Sequence, residues 1–246
     1  QDGCDGFCTY CQIPLARGTS RSVDPDLAFE KIKGVVEDGA REIVLTGIHL
    51  GHYGDDLKGV ARSRPNLEGL LRRLFELPGL SRLRLSSMEP MEFNRPLLAR
   101  LAEHRERVCD HFHLPLQSGS DPILKRMRRT YNAAQYRAAV EMVREYFPQA
   151  HFSADVICGF PGETDAQHQE TKDFIESLGF GSLHVFPYSK RPNTAAARMP
   201  DHIDPSTIKA RVQDLQRLSK GLWHTYASAF MGLTLPVLWE MGKDKD

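Results

Sequence analysis

Three cysteines stand close together near the start of the chain. Cys4, Cys8 and Cys11 have the spacing C-x3-C-x2-C, whereas Cys109 and Cys158 stand alone far downstream. Five cysteines are an odd number, and a chain of 246 residues can build a sizeable core without disulfides. The triplet therefore predicts a metal centre rather than a disulfide framework.

Two kinds of metal centre fit this triplet. Structural zinc requires four closed ligands, and no fourth ligand stands at a close, characteristic spacing. A four-iron cluster held by three thiolates keeps one iron without a protein ligand, and that open position is what catalysis needs. The spacing favours the cluster and leaves zinc as the alternative.

Helical elements that could position this loop are predicted by apolar stripes. The first stripe follows an Asp24-Pro25 cap, and three further segments carry a stripe of the same kind. Helices are therefore expected from residue 25, over 67–75, over 136–147 and over 205–230. Between them, β-rich runs predict five strands, at 42–46, 82–86, 111–116, 152–158 and 182–187. This alternation predicts an α/β fold with parallel strands.

Each predicted strand leads into a polar or glycine-rich turn. The turns begin at residues 46, 86, 117, 159 and 188. In parallel α/β folds the ligand binds at the carboxyl ends of the strands, so the functional site is expected at these five turns.

The composition is that of an ordinary globular protein. Lys and Arg number 32, Asp and Glu number 32, and 41% of the residues are hydrophobic, which excludes a disordered or polybasic chain. The sequence shows neither a transmembrane segment nor a signal peptide, so a cytoplasmic protein without a membrane partner is expected. Because the chain starts at Gln1 on the cysteine cluster, parts of a longer protein are expected beyond both ends.

The cysteine triplet, with Tyr10 directly before its last member, resembles the signature of the radical S-adenosylmethionine (SAM) superfamily. Longer motifs extend the resemblance to the methylthiotransferase family of that superfamily. They are Pro14, Arg17-Gly18 and Arg21-Ser22 after the loop, then residues 113–121 (HLPLQSGSD), 127–129 (MRR), 155–164 (DVICGFPGET) and 186–194 (FPYSKRPNT).

Two further segments resemble one subgroup of that family. Residues 45–51 (LTGIHLG) with Tyr53-Gly54, and residues 85–90 (LSSMEP), look most like the enzymes that modify threonylcarbamoyladenosine 37 of tRNA. The resemblance thus implies methylthiolation at C2 of that base. Close alternatives are isopentenyladenosine 37 of tRNA and an aspartate of a ribosomal protein. A non-catalytic zinc-binding module is the alternative from another class.

The resemblance implies a partial (β/α)6 radical-SAM barrel with the cluster loop after its first strand. Only three residues precede Cys4, so the first strand is expected to be missing. Residues 1–229 would form the radical SAM core. Residues 230–246 would begin a truncated C-terminal RNA-binding β-domain, with its opening strand over 234–240.

The resemblance also implies the cofactors and the residues that bind them. Cys4, Cys8 and Cys11 would hold a [4Fe–4S] cluster whose open iron binds SAM, and an electron from the cluster would cleave SAM to a 5′-deoxyadenosyl radical. The expected SAM contacts are Tyr10, Thr46, Gly47, Gln117, Ser118, Asp155, Ile157 and Gly159. Thr46 and Gly47 depart from the Gly-Gly-Glu of many superfamily members, but the expected contact uses backbone atoms.

Some arginines are candidates for carboxylate or phosphate contacts, because a guanidinium can hold either oxyanion bidentately, and the basic cluster at 125–129 is a candidate for RNA contact. These candidates are Arg17, Arg21, Lys125, Arg126 and Arg129. Most charge runs are solvated helix faces, and a net charge of zero is not that of a strongly basic nucleic-acid binder. The tRNA partner is therefore implied by the resemblance alone.

Other residues have a simpler structural interpretation. His113 and His184 lie within predicted strands and are expected to be core histidines, and Cys158 is expected to be a small core residue. His49 and His52, in a loop after a strand, are open to either interpretation.

The resemblance implies that full methylthiolation uses a second [4Fe–4S] cluster in an N-terminal domain, which is expected only in the full-length protein and outside these residues. An electron donor such as flavodoxin or ferredoxin is also implied. We expect this chain of 246 residues to bind one cluster. Cleavage of SAM is the furthest step expected of it, and it is not expected to thiolate tRNA unaided.

Overall fold

A computed structural model describes residues 1–57 and 65–238 of the chain. Helices and strands alternate along most of it. The helices are α1 Ile13–Arg17, α2 Pro25–Glu37, α3 Leu67–Phe75, α4 Arg95–Glu103, α5 Asp121–Arg126, α6 Ala133–Tyr146, α7 Asp165–Leu178 and α8 Pro205–Ser228. The strands are β1 Glu42–Leu45, β2 Arg82–Leu85, β3 His111–His113, β4 His151–Cys158 and β5 Ser182–Pro187.

All strand pairings between these five strands are parallel. β1 pairs with β2, and β3, β4 and β5 form a three-stranded sheet in that order. A parallel bridge pairs Leu83 of β2 with Val108, which lies three residues before β3 begins. The strands therefore follow one another in chain order with helices between them, and the predicted parallel α/β fold is confirmed.

Local capping explains where several helices begin. Asp24 accepts hydrogen bonds from the backbone N–H groups of Asp26 and Leu27, at 2.9 and 3.2 Å, directly before the proline that opens α2. Thr164 and Gln167 form a reciprocal capping box at the start of α7. Each cap satisfies backbone N–H groups that have no partner inside the helix.

The two faces of the sheet differ in polarity. Side chains such as Leu83, Phe112 and Val156 point to one face and pack with the helices in the main hydrophobic core. The opposite face, which we call the inner face, carries charged and polar side chains. On it Arg82 and Arg84 each donate a 2.8 Å hydrogen bond to Glu42. This alternation is what the two-residue period of a strand requires.

Two expectations about the strands are wrong in detail. β3 ends at His113 instead of continuing to residue 116, because Pro115 has no N–H to donate to the ladder. Pairing resumes at Gln117, which forms a parallel bridge with Val156. His184 is not a core histidine, since 57% of its side chain is exposed. His113 is buried, as expected.

Up to residue 238, where the described part of the chain stops, the C-terminal end forms no strand. α8 ends at Ser228, and residues 233–238 are neither helix nor strand. The last two residues of the strand predicted over 234–240 lie outside the described residues. The division into two domains at residues 229 and 230 stays a prediction.

Within the described residues, no helix is both long enough and apolar enough to cross a membrane.

Candidate functional site

The cysteine triplet lies in an irregular loop that borders a deep cavity. Cys4, Cys8 and Cys11 are free, half-buried thiols, and all three line one cavity of about 680 Å³. Backbone N–H groups point at two of the sulfurs, from Gly6 to Cys4 at 3.2 Å and from Ile13 to Cys11 at 3.4 Å. Such N–H donors stabilise thiolates and tune the potential of an iron–sulfur cluster.

The separation of the sulfurs bears on the choice between zinc and a cluster. Among the described residues, two sets of three ligand atoms lie within 4.8 Å of one another, and neither set contains these cysteines. A tetrahedral zinc ion with Zn–S bonds of about 2.3 Å would hold its sulfurs about 3.8 Å apart. At least one pair of the three sulfurs is therefore more than 4.8 Å apart, and the open cavity beside them leaves room for a larger, multi-iron group. The residues present therefore fit a [4Fe–4S] cluster.

Distant parts of the chain hold this loop in place. The N–H of Thr9 donates to Met127 O at 3.1 Å, its hydroxyl donates to Arg126 O at 2.9 Å, and its carbonyl accepts from Ala196 N at 2.8 Å. Gly3 has a φ of +70°, and a Cβ there would overlap the carbonyl of Thr19. The loop thus depends on the end of α5, on a turn after β5 and on one glycine.

A histidine contacts the first cysteine. His49 Nδ1 lies 4.0 Å from Cys4 Sγ, and this interaction lowers the pKa of Cys4. The other ring nitrogen of His49 forms an ion pair with Glu92, and His52 stacks on His49 with ring centroids 3.9 Å apart. Burial opposes protonation of His49, but Cys4 and Glu92 together raise its pKa to about 10. The imidazole therefore carries a positive charge beside the thiol at neutral pH.

A buried arginine contacts the second cysteine. Arg129 Nη1 donates to Cys8 Sγ at 3.1 Å, the same guanidinium forms an ion pair with Glu89, and it lies over the ring of Tyr131. Only 6% of the Arg129 side chain is exposed. Although burial opposes the charged form, the surrounding Tyr131, Tyr10, Glu89 and Cys8 raise the pKa of Arg129 further. This guanidinium is therefore a fixed positive charge at the cysteine loop.

The third cysteine lies in a less polar environment. Burial raises the pKa of Cys11, in contrast to Cys4. Burial also raises the pKa of Tyr10 well above its usual value, which keeps the phenol neutral. The three thiols are thus unequal before any metal binds.

The structure brings some of the expected SAM contacts to this cavity. Tyr10, Gln117 and Asp155 line it together with the cysteines. Gln117 has the positive φ of 66°, an uncommon conformation for a residue with a side chain, while its N–H donates to Asp155 O at 2.7 Å. Ile157 and Tyr10 both pack against a small buried apolar cluster that includes Phe160.

The other expected SAM contacts lie beside the cavity or away from it. Thr46 and Gly47 adjoin Gln1, whose terminal amino group lies 3.5 Å from Thr46 O. The hydroxyl of Ser118 contacts the hydroxyl of Thr171 at 3.2 Å and is buried. Gly159 donates its N–H to Glu163 at 2.8 Å in a separate turn. The role of all eight residues as SAM contacts stays a prediction.

The basic candidates have different surroundings. Arg17 and Arg21 both form exposed ion pairs with Asp2, at 3.1 and 3.2 Å. Lys125 and Arg126 end α5, and neither lines the cavity. Of the five candidates, the structure brings Arg129 to the cysteines.

Several residues of this site were not singled out by the sequence. Glu89, Glu92 and Tyr131 complete the charge network around the cysteines. Glu89 lies inside the motif at 85–90, which was the available signal. Glu92 and Tyr131 lie in segments with no pattern of their own, so only the fold reveals them.

The parallel α/β fold and the cysteine loop that lines its cavity agree with the protein family that the sequence matches. The model of the radical SAM superfamily matches residues 1–175, so this chain belongs to that superfamily. A [4Fe–4S] cluster and SAM are the cofactors of the superfamily.

Curated relatives place the chain more closely. It is 41% identical over 239 residues to the threonylcarbamoyladenosine tRNA methylthiotransferase MtaB of Bacillus subtilis, covering 97% of this chain and 52% of that protein. It is 35% identical over 243 residues to the tRNA-2-methylthio-N(6)-dimethylallyladenosine synthase of Pelotomaculum thermopropionicum, covering 99% of this chain and 53% of that protein. The chain thus spans about half the length of these relatives.

A solved structure supports the fold independently. Coproporphyrinogen III oxidase HemN from Escherichia coli, a radical SAM enzyme, superposes with a TM-score of 0.64 at 16% identity. The match covers 90% of this chain and 51% of that one. At this identity the likeness concerns the fold alone.

Proposed function

We propose that this chain is the radical-SAM part of a tRNA methylthiotransferase that acts at C2 of N6-threonylcarbamoyladenosine 37. The single observation that carries the proposal is the 41% identity to MtaB over 97% of this chain. The three cysteines around one cavity supply the chemical support, because they offer three thiolates and an open space beside them.

In this proposal Cys4, Cys8 and Cys11 hold the [4Fe–4S] cluster. When bound, the cluster and SAM supply the radical chemistry that removes hydrogen from adenine C2. The protein contributes position and charge. Arg129 and His49 lie beside two of the sulfurs as cations and offset the negative charge that three thiolates bring together.

The cavity around the loop provides the surface for SAM. Tyr10 offers a neutral aromatic ring, Gln117 an amide and Asp155 a carboxylate toward this space. An adenine can stack on an aromatic ring, and an amide can pair with polar groups of the ribose or methionyl end. The protein would also exclude water from this half-enclosed cavity.

A cluster test addresses the metal centre directly. We expect anaerobic reconstitution with iron and sulfide to give about four irons per chain and broad visible absorption that dithionite bleaches. Replacement of Cys4, Cys8 or Cys11 by Ala should abolish this absorption. The matched control is Cys109→Ala, which removes a buried thiol far from the loop in sequence and should keep the cluster. Bound zinc in place of iron would support the non-catalytic module instead.

A product test addresses the substrate. Mass spectrometry of tRNA hydrolysates from a deletion strain should show loss of the methylthio group from threonylcarbamoyladenosine, restored by the complete gene. Loss from isopentenyladenosine instead would support the second candidate, which the 35% identity to a dimethylallyladenosine synthase favours. Loss from a ribosomal-protein aspartate would contradict both tRNA assignments.

The partners and the competence of this chain belong to the same proposal. Because the chain spans about half of its relatives, we propose that these residues bind one cluster but do not methylthiolate tRNA alone. An external electron donor such as flavodoxin or ferredoxin would reduce the cluster. Substantial methylthio product from these residues alone would contradict this.

A further inference from the structure

The inner face of the sheet carries a second cluster of ligand-type side chains, of which the proposed function uses Asp155 but neither histidine. His113 of β3, Asp155 of β4 and His184 of β5 stand on adjacent strands, and Asp155 is directly paired with His184 in the ladder. One ligand atom from each lies within 4.8 Å of the other two. The two imidazole rings stack with centroids 5.1 Å apart.

The distances within this cluster match those between the ligands of one metal ion. His113 Nε2 lies 3.4 Å from Asp155 Oδ2, and His184 Nδ1 lies 3.2 Å from Asp155 Oδ1. A tetrahedral centre with bonds of about 2.1 Å holds its ligand atoms about 3.4 Å apart. The strands therefore already place these side chains at ligand spacing.

The buried imidazole of His113 provides an independent observation. Only 8% of its side chain is exposed, and Asp155 Oδ2, at 3.4 Å, faces its Nε2 without forming a well-aligned hydrogen bond. Its Nδ1 lies 3.0 Å from Ser153 Oγ. A histidine that ligates a metal usually has its other ring nitrogen held by such a hydrogen bond, which fixes the tautomer and the ring orientation.

One of the two neutral tautomers of His113 creates a place for a cation at this contact. When Nδ1 of His113 donates its proton to Ser153, the Nε2 lone pair faces the carboxylate of Asp155. Two electron-rich atoms then face each other in a buried place, and a positive ion between them would satisfy both.

We propose that His113, Asp155 and His184 bind a divalent transition-metal ion, separate from the centre at the cysteine loop. Two imidazoles and one carboxylate suit borderline ions such as Zn²⁺ or Fe²⁺. Three protein ligands leave at least one coordination position open, and Asp155 also lines the large cavity. That position would take water, or an oxygen or nitrogen atom of a molecule bound in the cavity.

The proposal goes beyond the proposed function and does not rest on it. The other set of three close ligand atoms, His49, His52 and Glu92, lies against Cys4 and belongs to the site described above. Asp155 is common to both arguments, because the proposed function has its carboxylate face the space for SAM and here the same carboxylate is a ligand.

The test uses the complete chain with its cluster already loaded, so that the thiols are occupied. The protein is equilibrated anaerobically with Zn²⁺ alone and desalted, and zinc per chain is measured. X-ray absorption at the zinc edge then identifies the ligand atoms. We expect one zinc per chain with nitrogen and oxygen ligands and no sulfur.

Variants locate the ion. His184→Ala removes a largely exposed ligand and should weaken zinc binding by more than about 100-fold, and Ser153→Ala should weaken it by about 10-fold to 100-fold. His224→Ala, at an exposed histidine of α8, and His52→Ala should leave zinc binding unchanged. Three results would overturn the proposal: no retained zinc, sulfur ligation, or loss of zinc in His52→Ala while His184→Ala retains it.

Discussion

Arg129 donates a hydrogen bond to Cys8 across 3.1 Å while the same guanidinium is paired with Glu89. The ion pair holds the guanidinium in position, and the guanidinium in turn places a permanent positive charge at a sulfur. A charge so placed favours electron uptake by any redox group that Cys8 binds, because reduction adds negative charge.

The first prediction concerns that charge. Replacement of Arg129 by Met should make the reduction potential of the loaded cluster more negative. The shift should be roughly 50 mV if the charge-assisted hydrogen bond is about half as strong in the oxidised state as in the reduced state. Arg129→Lys keeps the charge and should retain most of the potential. Potentiometric titration followed by electron paramagnetic resonance measures both. An unchanged potential in Arg129→Met would show that this contact is only structural.

The second prediction concerns Gly3. Because its φ is +70° and a Cβ would overlap Thr19 O, Gly3→Ala should prevent the loop from closing and reduce iron content after reconstitution to a small fraction. Gly34→Ala is the control, since nothing lies within 4 Å of a Cβ at this helical position. It should load normally and gain about 0.5–1 kcal/mol of stability. Equal iron content in the two variants would contradict the prediction.

The third prediction concerns the pH dependence of stability. The pKa of His49 is about 10 in the folded chain and near 6.5 in the unfolded chain. Its stabilising contribution is therefore fully present below pH 6.5 and is lost as the pH rises toward 10. Because the charge is shared with Cys4 and Glu92, we expect this contribution to be on the order of 2 kcal/mol.

Urea unfolding of the metal-free chain between pH 6 and 10 tests this. The free energy of unfolding of the unchanged chain minus that of His49→Gln should shrink as the pH rises. The same difference taken with the exposed His224→Gln should stay flat. A His49 difference that does not vary with pH would disprove the assigned pKa.

The fourth prediction concerns the turn after β4. Arg211 donates to Glu163 at 2.7 Å, and Glu163 in turn accepts the N–H of Gly159 at 2.8 Å, all in a buried place. Arg211→Met leaves a buried carboxylate without its partner and should cost about 3–5 kcal/mol of stability. Arg217→Met, at an exposed arginine of the same helix, should stay within about 0.5 kcal/mol. Equal unfolding midpoints for the two variants would rule out this role.

Much of the fold follows from local patterns in the sequence. All five strands are predicted within three residues of their ends, because each is a short β-rich run bounded by turn residues. The helix α3 matches its apolar stripe from Leu67 to Phe75. In contrast, the apolar stripes do not predict α7, whose face toward the core includes His168 and Thr171, although the Thr164-Gln167 capping box marks its start.

The functional site is predictable only in part, because some of its contacts join segments that lie far apart in the sequence. The spacing of Cys4, Cys8 and Cys11 identifies a metal centre from neighbouring residues alone. The cations beside them, His49 and Arg129, come from segments far along the chain, and their distances to sulfur depend on how strands and helices pack. No sequence period reports such contacts.

The anchoring of Thr9 also constrains when the protein can acquire its metal during synthesis. Its carbonyl is held by Ala196, almost two hundred residues later in the chain. Ribosomes add roughly 5–20 residues per second. About 10–40 seconds therefore pass between the synthesis of Thr9 and the synthesis of Ala196, which holds its carbonyl. During that interval the thiols are exposed to oxygen and to competing metals. We therefore expect stable cluster binding in the cell to follow translation of the greater part of this chain.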